Sequence, residues 1–338
     1  MKLATFTPRN AQSSAAGIGA VVDGQIVDLN YGYALYLREK EGERRAYEIA
    51  EGRIPRDMLG LIDGGDKALE AAKRTADFLA GRNEARGLNG ERLSYPLDEV
   101  RLLAPLKNPG KILAAGKNYA DHAAEGADGK VELQPFPRGF VKVASTIIGP
   151  DDPVEIAPVT EELDYEVELA VIIGKGGRGI RREDAMDHVW GYTIVNDVTY
   201  DYIAGHTILN DVSARDIQMA EAKYGNHMIG KNMDTLAPLG PWIVLKDEIA
   251  DPMDLDLQCT VNGEVRQDSN TSHLIHDIPA MIERWSWGTL EPGDIIATGT
   301  PAGVALGGKF PYLKPGDVME CIVEGIGSLT NPVVAGTR

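Results

Sequence analysis

Glu161-Glu-Leu-Asp-Tyr-Glu-Val-Glu-Leu-Ala-Val-Ile-Ile-Gly174 sets a group of acids directly against an apolar run. Val167–Ile173 is short, continuous and rich in β-formers, which predicts a strand. Side chains alternate across a strand, so Glu166 and Glu168 share one face. Like charges that close repel, and burying either one is costly. A hard cation removes that cost, because it prefers oxygen ligands. The alternative is a solvated edge strand whose acids face water.

Outward from this stretch, short strands alternate with Gly, Pro and Asp turns. Lys111–Ala115 is another apolar run. Glu291-Pro-Gly-Asp and Lys314-Pro-Gly-Asp are similar turns, each feeding an apolar strand, Ile295–Thr298 and Val318–Val323. Arg182–Val189 and Pro279–Trp287 read as short helices. Many short strands with few helices give a mainly β, α+β reading for residues 101–338. Residues 1–100 have a different texture. Leu3–Phe6 and Gly19–Leu29 are strand-like, with Asp23-Gly24 as a hairpin turn inside the second. Residues 33–50 and 66–82 are rich in Ala, Leu, Glu, Lys and Arg and read as helices. Few side chains there suit chemistry, so this part reads as a small α/β accessory domain.

The composition excludes whole classes. Acids outnumber bases by 51 to 34, a formal charge of −17. Such a chain repels phosphate backbones and anionic membrane surfaces, so neither nucleic acid nor membrane is expected as a partner. Apolar residues make up 43% and charged residues 25%, which is ordinary for a globular protein. The two cysteines, Cys259 and Cys321, form no CxxC or Cys/His cluster, so structural zinc is not expected. The opening Met1-Lys-Leu-Ala-Thr-Phe has no long apolar run, and no stretch reaches the roughly 18 apolar residues of a membrane span. A reducing, cytoplasmic setting is expected.

One segment occurs twice. Asp187-His-Val-Trp-Gly-Tyr-Thr-Ile-Val-Asn-Asp-Val-Thr199 recurs as Asp201-Tyr-Ile-Ala-Gly-His-Thr-Ile-Leu-Asn-Asp-Val-Ser213, offset by 14 residues. That offset is too short for a solenoid unit, so this is a local duplication of one strand and its lead-in. Asp197 and Asp211 each end a run of strand formers. Either, on a strand beside Glu166 and Glu168, would complete a three-carboxylate site. Asn-Asp at a strand end also serves simply as a turn.

Gly116-Lys-Asn-Tyr-Ala-Asp-His-Ala-Ala-Glu125 follows a strand and should begin a helix. His122 and Glu125 then share a helix face. A carboxylate beside an imidazole raises its basicity and fixes its tautomer, and such a pair takes protons from water; the same spacing also makes ordinary surface contacts. Lys231 lies in a Gly-preceded, non-helical segment. Ala297-Thr-Gly-Thr-Pro-Ala-Gly-Val304 is a loop after a strand whose amides and hydroxyls suit a carboxylate. It lacks the GK[ST] ending of a P-loop, and no other phosphate motif is present.

In order, the motifs are GKNYADHAAE, DYEVELAVIIGK, GYTIVNDV with GHTILNDVSARDIQ, GKNMDTLAPLGPW, VNGEVRQDSNTSHLIHDIP, LEPGDIIATGTPAGV and VEGIGSLTNPV. Together they resemble the fumarylacetoacetate hydrolase family. The nearest branch is that of acylpyruvate hydrolases, oxaloacetate decarboxylase-like proteins and 2-hydroxyhepta-2,4-diene-1,7-dioate isomerases. The match runs from about Lys107 to Asn331, and the N-terminal segment resembles the small domain appended in this family. The resemblance implies a mixed β-roll around Mg²⁺ or Mn²⁺, with Ca²⁺ as a third candidate. It implies Glu166, Glu168 and an Asp of the duplicated strand as metal ligands. His122 and Glu125 become the water-activating dyad, and Lys231 sits near the reacting carbonyl. Lys142, Arg215, Gln218 and Thr300 match positions lining the substrate pocket. Counting forward from Glu168 points to Asp197, and counting back from Lys231 points to Asp211. Asp211 is favoured, because only it has Arg215 and Gln218 in register behind it. Phe140-Val-Lys-Val-Ala-Ser145 departs from the usual Lys-Pro-Ser.

The activity this implies is metal-dependent hydrolysis of a carbon–carbon bond in a 2,4-dioxo acid, giving a pyruvate-like product and a carboxylic acid, as in aromatic catabolism. The alternatives are decarboxylation of an oxaloacetate-type acid, isomerisation or hydration of an unsaturated 2-oxo acid, and a non-catalytic binding protein on the same fold. A homodimer is expected from the family.

Overall fold

The structure is a computed structural model that describes residues 1–9, 16–125, 135–158, 160, 162–198 and 230–336. The chain opens with β1 (Lys2–Pro8), β2 (Gly17–Val22) and β3 (Gln25–Asp28). Asp23 and Gly24 both take positive φ, 49° and 75°, which is the turn their dipeptide favours, and β2 pairs directly with β3. Four helices follow: α1 (Leu29–Glu41), α2 (Ala46–Arg53), α3 (Met58–Asp63) and α4 (Gly65–Leu79). Asp28 caps α1 by accepting the Tyr31 amide at 2.9 Å, and Gly42 closes it in the left-handed region. The α4 stripe Ala68, Ala71, Ala72, Thr75, Ala76 and Leu79 is buried. A Cβ on Gly32 of α1 would meet Leu79 at 2.6 Å and Thr75 at 2.8 Å, so the absence of a side chain there is what lets α1 and α4 meet. The stretch expected as one helix at 33–50 is α1 and α2, that expected at 66–82 is α4, and α3 lies in neither.

The remaining chain is β-rich. Its elements are β4 (Ser94–Pro96), β5 (Val100–Leu103), β6 (Ile112–Ala115), α5 (Ala120–Ala124), β7 (Gly139–Lys142), β8 (Ile147–Ile148) and β9 (Val154–Ile156). Then come β10 (Val167–Ile173), β11 (Val189–Asn196), β12 (Ala237–Leu245), β13 (Asp256–Val261) and β14 (Glu264–Asn270). The last elements are α6 (Ile278–Trp285), β15 (Ile295–Ala297), β16 (Val318–Val323) and β17 (Gly327–Ala335). Among the described residues these strands form two sheets. A twelve-stranded sheet runs β4-β3-β2-β1-β12-β11-β10-β15-β6-β7, with β5 on β1 and β8 on β12; a five-stranded sheet runs β14-β13-β16-β17-β9. The fold is therefore mixed α and β with sheet predominant, as expected. The first hundred residues supply one end of the large sheet, where Lys2 and Leu3 of β1 pair with Val244 and Ile243 of β12. No helix among the described residues is long and apolar enough to cross a membrane.

β10 is buried along its whole length, because it is covered on both faces. Ala170 and Ile172 join the cluster shared with the N-terminal helices; Val167, Leu169, Val171 and Ile173 join the cluster under the five-stranded sheet. Glu166 and Glu168 belong by period two with Ala170 and Ile172. The large sheet also curls. In a flat sheet β7 would lie four strands, roughly 19 Å, from β11, far beyond the reach of one side chain. Yet Lys142 at the end of β7 touches Asp197 just past β11, and β8, which follows β7, pairs with β12.

Candidate active site

Glu166, Glu168 and Asp197 meet where β10 begins and β11 ends, with one carboxylate oxygen from each within 4.8 Å of the others. The Asp197 amide donates to Glu166 O at 2.9 Å, and Asn196 Oδ1 accepts the Glu166 amide at 2.9 Å. Two ammoniums face these acids. Lys231 Nζ donates to Glu166 Oε2 at 3.2 Å and to Asp197 Oδ2 at 3.1 Å. Lys142 Nζ donates to Asp197 Oδ1, and to Leu236 O at 3.0 Å. All five side chains are 1–2% exposed.

Three carboxylates against two ammoniums leave the cluster formally one charge negative, and the imbalance is unevenly shared. Burial pushes Glu168 up to about 8, with the Asp197 charge adding to it; the Gly299 amide at 2.8 Å and the two lysines only partly oppose this. Burial acts on Asp197 in the same direction, but Lys142 and Lys231 outweigh it and hold this carboxyl below its usual range. A donor set of three buried carboxylates, one of them short of positive charge, fits a hard divalent cation, and Glu166, Glu168 and Asp197 are the residues that would hold it.

His122 and Glu125 sit on and just after α5, with His122 Nδ1 2.9 Å from Glu125 Oε2. The carboxylate side of Nδ1 makes that nitrogen the donor, so Nε2 is the basic one. The loop after β15 clasps this pair and the acid cluster together. Its Gly299 amide holds Glu168, and its Gly303 amide donates to Glu125 Oε1 at 2.8 Å. Gly303 has φ of 111°, and a Cβ there would lie 2.1 Å from Arg266 O, so the loop passes too close to β14 for any other residue.

The sequence-derived residues thus divide. Glu166, Glu168, Asp197, Lys142 and Lys231 are brought together, and His122 and Glu125 form their pair. Asp197 takes the third carboxylate position, whereas Asp211, Arg215 and Gln218 lie outside the described residues. Lys142 spends its ammonium on Asp197 and Leu236 O, deep under the cluster. The Thr300 hydroxyl donates to Val167 O at 2.9 Å and accepts from Gln267 Nε2 at 2.8 Å, which ties β10 to β14. Two amides had no assigned role. Gln267 Oε1 also accepts the Val167 amide at 3.0 Å. Asn118 donates to His276 O at 2.9 Å and Thr298 O at 2.8 Å, anchoring the segment before α5 to the clasping loop. Both lie within quoted motifs, but a buried amide and a surface amide look alike in sequence.

A curled mixed sheet that buries three acids and two ammoniums, with an imidazole–carboxylate pair held by the same loop as one of the acids, has the make-up of an enzyme. The family profile described as "Fumarylacetoacetate (FAA) hydrolase C-terminal" matches residues 111–201 and 199–334. The chain is 38% identical to the mitochondrial oxaloacetate tautomerase fahd2 of Xenopus laevis, over 99% of this chain and 90% of that one. It is 39% identical to the oxaloacetate tautomerase YisK of Bacillus subtilis, over 94% and 95%. The solved maleylpyruvate hydrolase of Sphingobium sp. SYK-6, in complex with manganese(II) and pyruvate, is 30% identical with TM-score 0.68, over 100% of both chains. This chain is an enzyme of the fumarylacetoacetate hydrolase family. The profile match breaks at 199–201, where the two copies of the internal repeat meet.

Proposed function

We propose that this chain enolises 2-oxo acids, interconverting the keto and enol forms of an oxaloacetate-type dicarboxylate in the presence of Mg²⁺ or Mn²⁺. The observation that carries the proposal is the loop Thr298–Gly303, which holds an acid of the cluster through Gly299 and the proton-transfer pair through Gly303. The tautomerase names of the two relatives aligned over 99% and 94% of this chain favour enolisation as the simplest use of that site.

Glu166, Glu168 and Asp197 hold the cation, which when bound supplies Lewis acidity to the oxygens of a 2-oxo acid. Glu125 accepts a hydrogen bond from Nδ1–H of His122, which leaves Nε2 to remove a proton from the carbon beside the carbonyl. Lys231 carries a positive charge where the enolate oxygen develops a negative one. Lys142 compensates Asp197 from beneath. Delivery of that proton from His122 to the enolate oxygen gives the enol, the reverse sequence gives the keto form, and no bond between carbons breaks.

A second reading is hydrolysis of a 2,4-dioxo acid, with the His122–Glu125 pair deprotonating water; the pair itself and the maleylpyruvate hydrolase relative favour it. Decarboxylation of oxaloacetate would need only the enolate-stabilising half of the site. One experiment separates the three. EDTA-treated protein, with and without Mn²⁺, is given enol oxaloacetate and followed by ultraviolet absorbance; in parallel, pyruvate release is measured from oxaloacetate and from acylpyruvates of graded chain length. Metal-dependent loss of enol without pyruvate supports the tautomerase. Pyruvate from acylpyruvates would replace that reading with the hydrolase, and pyruvate from oxaloacetate alone with the decarboxylase.

A further inference from the structure

The two ammoniums of the site stand in different relations to the acids. Lys142 occupies Asp197 Oδ1 and is anchored a second time by Leu236 O. Lys231 Nζ bridges the gap between the acids, 3.2 Å from Glu166 Oε2 and 3.1 Å from Asp197 Oδ2. With Oδ1 claimed by Lys142, Oδ2 is the Asp197 oxygen left to turn toward Glu166 and Glu168. From that same position Lys231 Nζ also lies over the Phe140 ring on β7, 4.7 Å from its centroid.

We propose that Lys231 is a built-in competitor of the divalent cation, giving up Glu166 and Asp197 when the cation binds while keeping its contact with Phe140. This rests on the reading above that the carboxylate cluster holds such a cation. A small dication takes carboxylate oxygens at about 2.0–2.6 Å. An ammonium on the same two oxygens would then be its near neighbour, and the low dielectric of a fully buried site leaves that repulsion poorly screened. The lysine is the partner able to yield: a compact charge on a flexible four-carbon stem moves without dragging the backbone. The face of Phe140 is an attractive contact the ammonium can keep once the carboxylates are taken. Cation loading and the release of Lys231 from the acids therefore become one event.

The test is isothermal titration with Mn²⁺ alone, on EDTA-treated protein, for wild type, Lys231→Met and Phe140→Leu. Lys231→Met keeps the length of the stem and removes the charge. It is expected to bind Mn²⁺ about tenfold more tightly or better, to melt at a lower temperature in EDTA, and to lose turnover. A group that merely holds the site together would weaken Mn²⁺ binding when lost. Phe140→Leu removes the ring contact left to the displaced ammonium, leaves every acid and lysine intact, and is expected to weaken Mn²⁺ binding about two- to fivefold. Unchanged or weaker binding by folded Lys231→Met overturns the proposal. If that variant does not fold, Phe140→Leu decides: weaker binding supports the exchange, and unchanged or tighter binding overturns it. Mn²⁺ binding by Lys231→Met but not by wild type is the exchange in its strongest form. Binding by neither overturns the proposal together with the metal reading, whereas tighter binding without oxaloacetate chemistry removes only the proposed activity.

Discussion

The two ends of the path that runs from β4 to β10 bury acid in contrasting ways. At the N-terminal end the layer between strands and helices is almost wholly apolar, and its buried carboxyl is Asp28. Burial raises Asp28 to about 6, but Arg56 at 3.6 Å and the Tyr31 amide recover part of the cost, and the same carboxyl caps α1. Around β10 and β11 three carboxyls are crowded together, and even with two ammoniums and the Gly299 amide Glu168 stands at about 8. One acid with local partners is a structural device. Three acids with too little positive charge form a site that asks for a ligand, at a cost in stability that the rest of the sheet must offset.

Breaking the crowded end should have the largest effects. Glu166→Gln should abolish metal-dependent turnover and weaken Mn²⁺ binding by more than the roughly hundredfold typical of outer-shell losses; full activity would show that this cluster is not the metal site. Within the same cluster, Asp197→Asn should weaken Mn²⁺ binding comparably, while Asp211→Asn should leave it intact. The reverse result in a paired titration would hand the third position to the second copy of the repeat. His122→Ala should lower turnover by about 10²–10⁴ with the Mn²⁺ affinity unchanged, a separation that kinetics and calorimetry on one sample would reveal. Surviving turnover would remove the imidazole from the mechanism.

The smallest effect belongs to the apolar end. Asp28 binds its proton more tightly folded, at about 6, than unfolded, near 3.8. Its contribution to stability is therefore greatest below about pH 4 and is lost as pH rises to about 6. Asp28→Asn keeps an oxygen for the Tyr31 amide and should flatten that part of the stability–pH curve, by up to about 3 kcal/mol across the window. Since the substitution also strips Arg56 of its counter-charge, the slope from urea unfolding at several pH values is the quantity to compare. An unchanged slope would show that Asp28 is not the titrating group.

What could be read from sequence was local. Val167–Ile173 is a strand to the residue, and the period of two that put Glu166 and Glu168 on one face requires nothing beyond the chain itself. Asp23-Gly24 encodes its own turn, and the three-residue spacing of His122 and Glu125 brings imidazole to carboxylate within a single helical turn. Helix limits in the first hundred residues were less legible, because Ala-rich stretches do not mark where one helix stops and the next starts. The strand and cluster contacts of Lys142 and Thr300 were not legible for a related reason. Whether a hydroxyl faces a ligand or a strand carbonyl depends on what lies across from it.

The strand-rich fold class, the family, the two-carboxylate face of β10 and the imidazole pair were all legible in the amino-acid order, through short-range periodicity or contiguous motifs. Only the tertiary structure decided that Asp197 joins Glu166 and Glu168, and that Lys142 reaches it from a strand four places away. It also decided that a single loop clasps acid and dyad together. Those contacts depend on how far a twelve-stranded sheet curls. Curl accumulates from the twist between every neighbouring pair of strands, so no single segment of the chain records it.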